Sequence, residues 1–222
     1  DLCEEEGSEV LRFWESRQHF VVVGYGNRIE REVNVEACRK RGVAILRRCS
    51  GGGTVVQRPG CLNYSITLQT SEDEGLATVT GTNAFVMGRN RGAVAAVLDA
   101  RIAVQGYTDL AFEHRTGWFK FSGNAQRRRR HALLFHGTIL YDFHLPLMDE
   151  LIHFPSAQPD YRANRSHAAF VGNFRAAPGA IREALSAAWN ARESFGSLPP
   201  ENTARLCREH YENAAWTFRR GH

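Results

Sequence analysis

Three strand-like runs follow one another at residues 109–112, 118–121 and 133–140, with polar connections and no helix-length segment between them. This succession constrains the fold more than any other feature of the chain. Antiparallel neighbours need only a turn between them, whereas parallel ones need a crossover of a dozen or more residues. Further strand-like runs lie at 20–25, 43–48, 54–57 and 62–69, bounded by glycine, proline and asparagine. Apolar spacing predicts helices over 4–17, 34–41, 82–105 and 180–195, a short one over 145–152, and a last one over 201–213 after the break Leu198-Pro199-Pro200. Residues 155–165 read as a loop. Strands that come in runs, not separated one by one by helices, predict an α+β fold: a mixed, largely antiparallel sheet with flanking helices.

At 222 residues, 43% of them hydrophobic, the chain fits one large domain or two small ones and can bury a substantial core. No apolar run approaches the ~18–20 residues of a membrane span. No charged segment followed by an apolar one opens the chain, so secretion is not expected. The chain opens on Asp1 and not on Met, so a preceding segment is expected. Cys3, Cys38, Cys49, Cys61 and Cys207 are odd in number and show no C-x-x-C spacing. Reduced thiols in a cytoplasmic setting are expected, not a disulfide framework or a zinc site. A net charge of +4 suits nucleic acid, a membrane surface or an acidic protein equally well and selects none of them.

Three segments carry chemistry. In Arg47-Arg48-Cys49-Ser50-Gly51-Gly52-Gly53-Thr54-Val55-Val56, three glycines between two strand-like runs let backbone N–H groups approach a phosphate. The two arginines supply positive charge and forked donors. Taken alone, a hairpin turn beside surface arginines explains this stretch, and no Gly-Lys-Ser/Thr follows to make it a Walker A loop. In Lys120-Phe121-Ser122-Gly123-Asn124-Ala125-Gln126, a lysine among aromatics stands at a strand end. Such an ammonium can stabilise charge developing between a carboxylate and a phosphate, although a lysine snorkelling from a sheet is the plainer reading. In His136-Gly137-Thr138, a lone histidine on an apolar strand is by itself more often a hydrogen-bonded core residue than a catalyst.

Taken in order with Leu62-Asn63-Tyr64-Ser65 and Thr108-Asp109-Leu110-Ala111, these segments resemble the lipoate–protein ligase and lipoyl-octanoyl transferase family, within the wider biotin/lipoate ligase group. The matches span residues 47–140, with weaker ones at 160–167 and 211–216. The resemblance implies a class II aminoacyl-tRNA synthetase/biotin synthetase-like fold, a single catalytic domain over 1–222 with a tail over 196–222, and no separate accessory C-terminal domain. It implies activation of lipoate or octanoate by ATP and Mg²⁺ to an acyl-adenylate. The acyl group then passes to a lysine of an apo-lipoyl domain or a glycine-cleavage H-type acceptor, with a separate accessory ligase domain as a further partner. By the same resemblance Lys120 is the catalytic lysine. Arg48, Ser50, Gly51, Gly52 and Gly53 hold carboxylate and phosphate. Gly53, Thr54, Val55 and Val56 line the adenine site. Asn63 and Asp109 belong to the nucleotide pocket, Asp109 also being the metal candidate. His136 and Gly137 sit beside the acyl chain. Gln57-Arg58 stand where the family often has His-Asp, and Cys61 where Asn is common.

Rival readings remain open. An ATP-independent octanoyl/lipoyl transferase acts through a cysteine thioester, but residues 104–110, where the most similar cysteine-using relatives carry the nucleophile, contain no cysteine. Cys49 and Cys61 are read as small apolar residues. Gly88-Arg89-Asn90-Arg91-Gly92 faintly echoes biotin–protein ligases. The run Arg127-Arg128-Arg129-Arg130-His131 supports a non-catalytic basic binding domain or, within the family, a docking site for an acidic acceptor. It otherwise reads as a solvated loop.

Overall fold

The computed structural model describes residues 1–70, 75–98, 100–196 and 199–219. Leu198, in the expected break, and residue 99, in the expected helix over 82–105, lie outside them. The elements run α1 (Leu2–Glu6), β1 (Val10–Trp14), β2 (Phe20–Val23), α2 (Ile29–Glu32), α3 (Val35–Arg41), β3 (Ala44–Arg47), β4 (Val55–Gln57), β5 (Cys61–Gln69) and α4 (Val79–Ala95). They continue through β6 (Ile102–Gln105), β7 (Asp109–His114), β8 (Gly117–Arg128), β9 (Ala132–Leu140), α5 (Pro146–Leu151), α6 (His167–Phe170), α7 (Pro178–Ala188), α8 (Pro200–Leu206) and α9 (Ala214–Thr217).

Six strands form one sheet in the order β1-β5-β9-β8-β7-β6, and every pairing in it is antiparallel. A small sheet, β3-β2-β4, contains a parallel pair, β2 with β3. The expected mixed, largely antiparallel α+β architecture is the observed one. Alternation along the strands gives the large sheet two different faces. Leu62, Tyr64, Ile66, Phe121, Phe135 and Ile139 point to one face and are sealed by α4 and α7 through Val86, Met87, Ile181 and Leu185. A second apolar cluster joins the small sheet to α5 and α6 through Val21, Val56, Met148, Ile152 and Phe170.

Several expectations are corrected. Residues 4–17 do not form one helix. Gly7, at φ 75°, ends α1, and the run containing Val10, Leu11 and Trp14 pairs with β5 instead. Three apolar residues fit either period, and a waiting sheet edge decides. The helix expected over 82–105 stops at Ala95, and residues 102–105 add an edge strand beside β7. The helix over 180–195 ends at Ala188, with Asn190 at φ 51° just beyond. The loop expected over 155–165 contains a 3₁₀ turn, Asp160–Arg162. The basic run is a solvated loop only in part: Arg129, Arg130 and His131 are exposed in the β8–β9 connection. Arg127 and Arg128 belong to β8, and the Arg128 guanidinium donates to Thr82 Oγ1 (2.9 Å), Leu76 O (2.6 Å) and Ala77 O (3.1 Å), tying β8 to the start of α4.

Candidate functional site

The strand register fixes what lies on the face of the large sheet opposite α4. Two cross-strand rows stand there: Arg12, Ser65, His136 and Ala125, then Trp14, Asn63, Thr138 and Gly123. These polar and small residues floor a cleft of about 870 Å³. The glycine loop and β4 wall one side, and the segment from α5 to α6 walls another.

A bulge in β8 supplies the central cation. Leu110 opposes Ser122 while the next residue, Ala111, opposes Lys120, so Phe121 is the extra residue. An unbroken register would pair Lys120 with Phe112 on the core side. The bulge puts Phe121 in the core, against Phe174 at 4.6 Å, and turns Lys120 to the cleft. There Lys120 Nζ lies 2.7 Å from Asp109 Oδ1, the two side chains being 29% and 13% exposed. Tyr161 Oη donates to Asp109 Oδ2 at 2.9 Å. Asp109 and burial together raise the Tyr161 pKa, burial more strongly, so the phenol keeps its proton. Gly123 lies close beside this group, since a Cβ there would sit 3.0 Å from Lys120 Nζ.

The glycine loop closes over the same face. Tyr25 N donates to Ser50 O (2.8 Å), Asn27 Nδ2 to Gly52 O (3.2 Å), and Ser50 Oγ bonds His136 Nε2 at 2.5 Å. A Cβ on Gly52 would lie 3.5 Å from Ala125 Cβ. Ala125 and Gly123 are two residues apart on one face of β8, so loop and ammonium are about 7 Å apart along the strand. The two arginines before the loop divide their work. Arg47 faces away from the cleft, contrary to expectation. It is 1% exposed and donates to Gly24 O, Tyr25 O, Asn27 O, Thr217 O and Arg219 O at 2.8–3.3 Å. Arg48 lines the cleft but bonds the loop itself, donating to Gly51 O, Gly53 O and Val22 O. Burial pushes its pKa down to about 10, which leaves it cationic at neutral pH. Burial, with the Arg48 charge second, takes His136 down to about 4, so its imidazole is neutral.

Of the residues singled out in the sequence, Arg48, Gly52, Gly53, Thr54, Val55, Val56, Asn63, Asp109, Lys120, His136 and Gly137 line this one cleft. Ser50 is buried and reaches it through His136, and Gly51 stays outside the lining. Asn63 is tied into a closed triangle. Asn63 Nδ2 donates to Gln57 Oε1, Gln57 Nε2 to Thr138 Oγ1, and Thr138 Oγ1 to Asn63 Oδ1 at 2.7–2.9 Å. Gln57 therefore has a structural partner set of its own. Thr54 Oγ1 is buried and unpartnered among the described residues. Cys61 is fully buried, its thiol pushed up to about 12 by desolvation, and no cysteine lines the cleft among the described residues. All five thiols are free, as expected. Among the described residues no helix is long and apolar enough to cross a membrane.

Sequence reasoning gives no separate role to Tyr161, Arg162 and His167, although residues 160–167 carry a weak family resemblance, nor to Arg12 and Trp14, which fall in an expected helix. It also gives no role to Tyr211, which lines the cleft from the C-terminal segment. That segment is held by Arg47, by Trp216 Nε1 donating to Arg47 O (3.0 Å), and by Arg219 stacked on Tyr25 at 3.5 Å.

A family model described as the lipoyl protein ligase A/B catalytic domain matches residues 2–185. A putative lipoate-protein ligase A of Aeropyrum pernix is 31% identical over 138 residues, covering 61% of this chain and 47% of that protein, so the chain spans about half of that relative's length. An octanoyltransferase LipM of Geobacillus kaustophilus is 26% identical over 241 aligned positions, covering 95% of this chain and 86% of that protein. Among solved structures, a bi-partite lipoate protein ligase of Thermoplasma acidophilum superposes with a TM-score of 0.80 at 22% identity, covering 96% of this chain and 84% of that one. A lipoate-protein ligase A bound with ATP gives 0.75 at 21% identity, covering 96% and 86%. The last two establish a shared fold.

Proposed function

Because this chain belongs to the lipoyl protein ligase A/B catalytic domain family, we propose that it is an ATP-dependent lipoate–protein ligase. It joins lipoate or octanoate to AMP and passes the acyl group to a lysine of an apo-lipoyl or H-type acceptor protein. The observation that carries this reading is the Lys120 ammonium, fixed 2.7 Å from Asp109 in a cleft that no cysteine lines among the described residues. A thioester route needs a thiolate in contact with substrate. An adenylation route needs cationic and N–H donors between two anions, and this cleft offers those.

A carboxylate is a poor electrophile until one oxygen becomes a good leaving group. Its attack on the α-phosphate of ATP expels pyrophosphate and forms a mixed anhydride. The acceptor amine then adds to the acyl carbon, AMP departs, and the amine's proton leaves to solvent. Lys120 stabilises the negative charge that gathers at the carboxylate–phosphate junction, and Asp109 with Tyr161 keeps it there. The loop Gly51–Gly53, shaped by Arg48, brings backbone close to the same junction. Thr54 Oγ1, Val55 and Val56 receive the nucleotide, beside the Asn63–Gln57–Thr138 triangle. Neutral His136, with Gly137, borders the acyl chain.

A Mg²⁺ ion accompanies ATP in this reading. Among the described residues no group of three His, Cys, Asp or Glu converges, and Asp109 already serves Lys120 and Tyr161. Asp109, the only carboxylate lining the cleft among the described residues, would hold the ion through oxygen, the ligand type that suits Mg²⁺. The ion would neutralise phosphate charge.

ATP–pyrophosphate exchange dependent on lipoate or octanoate tests this reading. Wild-type protein should exchange, and Lys120→Ala should lose exchange while keeping its melting temperature. An acyl thioester trapped on a cysteine, with no exchange, would establish the octanoyltransferase reading, which the LipM relatives keep in view.

A further inference from the structure

The cleft contains a second buried cation that neither the loop nor the Lys120 group explains. Arg162 is 4% exposed and lines the cleft. Its guanidinium lies over two aromatic rings, with Asp149 acting on it from beyond ion-pair distance, and its Nη2 is buried without a partner among the described residues. The carbon centre lies 4.7 Å from the Phe154 ring and 4.9 Å from the Phe170 ring, and Nε donates to Arg165 O at 2.9 Å. Nη2 has no partner, and no carboxylate lies within ion-pair distance among the described residues. Its neighbour Arg165 shows what a structural arginine looks like here, donating to Arg162 O, Trp118 O, Ala169 O and Tyr161 O. An unpaired buried guanidinium is costly, and a forked donor with a free arm suits an oxyanion.

Placement selects the anion. Phe170, on which Arg162 stacks, shares an apolar cluster with Val56 of β4, Met148 of α5 and Ile152 just beyond it. Arg162 thus stands on the β4 side of the cleft, where the nucleotide is read to lie. Arg162, His167 and Lys120 line the same cleft.

We propose that Arg162 is a phosphate-binding residue of the cleft, its Nη2 taking an oxygen of the triphosphate of ATP while Phe154 and Phe170 hold the guanidinium plane. This assignment rests on the nucleotide reading above. Calorimetric titration of wild type, Arg162→Lys and Arg162→Gln with Mg·ATP, and separately with octanoate, tests it. ATP should bind about 10- to 100-fold more weakly to Arg162→Gln, the loss of one charge-assisted hydrogen bond. Arg162→Lys, which keeps the charge but not the fork, should fall between. Octanoate affinity should be unchanged in both. A folded Arg162→Gln that binds ATP within twofold of wild type, or a loss confined to octanoate, overturns the proposal while leaving the ligase reading intact. Wild-type protein that binds octanoate but not ATP overturns both. If neither variant folds, crystals of wild type with ATP decide. A phosphate oxygen within about 3 Å of Nη2 is expected, and a bound nucleotide whose phosphates leave Nη2 without a contact overturns it.

Discussion

Replacing Gly24 by alanine should disable this protein while barely unfolding it. Gly24 follows β2, and a Cβ there would lie 2.0 Å from Gly52 O and 3.3 Å from Arg48 Nη2. Ordinary carbon–oxygen contact begins above about 3 Å, so the carbonyl must retreat by roughly 1 Å, and it belongs to backbone that cannot swing aside like a side-chain tip. Gly51, Gly52 and Gly53 are exposed, so the loop can retreat without disturbing either apolar cluster. Overpacking costs about 1–3 kcal/mol, and the lower end applies to a loop free to move. Loss of glycine from the unfolded chain returns about 0.4–1 kcal/mol. The net is roughly 0–1 kcal/mol, a melting shift of at most about 4 °C in a chain of this size. Activity is another matter. A misplacement of about 1 Å between reacting groups costs on the order of 100-fold. Acyl-adenylate formation should fall by about that factor in Gly24→Ala. Gly26→Ala, two residues on, has nothing within 4 Å of its new Cβ and should behave as wild type. Melting curves and exchange rates of the three proteins make the comparison. Full activity in Gly24→Ala would refute the role of the loop.

Three further outcomes are expected. Gly137→Ala should destabilise by at least about 1–3 kcal/mol, because its Cβ would lie 1.7 Å from Asn124 Oδ1, an atom held by Tyr64 while the same amide donates to Thr108 O and Ser122 Oγ; a wild-type denaturation midpoint would contradict this. Tyr161→Phe should lower kcat about tenfold with little change in KM for the acid, through loss of a hydrogen bond to a carboxylate, and an unchanged kcat would show that Asp109 needs no such support. For His136, the folded pKa of about 4 lies below the unfolded value of about 6.5, so the unfolded chain takes up the proton first. Its contribution to stability is complete above about pH 6.5 and is lost as pH falls toward 4. The melting temperature of His136→Gln should therefore decline less steeply over that window, and parallel profiles would exclude the effect.

The strands were legible in the sequence where local and tertiary preferences agree. The β-branched run at 20–23 and the alternating run at 61–69 read directly, and so did α3, capped by Asn34 and closed by Gly42 at φ 64°. Boundaries failed where a distant partner decides them. Val10–Trp14 is a strand only because β5 offers an edge, and Ile102–Gln105 only because β7 does. The site was legible as motifs, since glycine and an isolated lysine carry their own signal. Its second layer was not. Arg47 and Arg48 are adjacent and chemically identical, yet strand geometry and the loop give one to the C-terminal segment and the other to the cleft. Tyr161 and Arg162 lie on a turn whose place against β4 and Asp109 no local pattern announces. Arg128 looked like surface charge because carbonyl acceptors leave no trace in a sequence.

The irregularity at Phe121 means that the direction of the Lys120 amine depends on counting, not on composition. Let Phe121 pair regularly with Ala111 and the chain would keep every amino acid, every preference and most of its ladder. The amine would then be delivered into the oily layer beneath, and the enzyme would become an inert scaffold. The lysine alone therefore does not make the site; the irregular pairing beside it aims the amine.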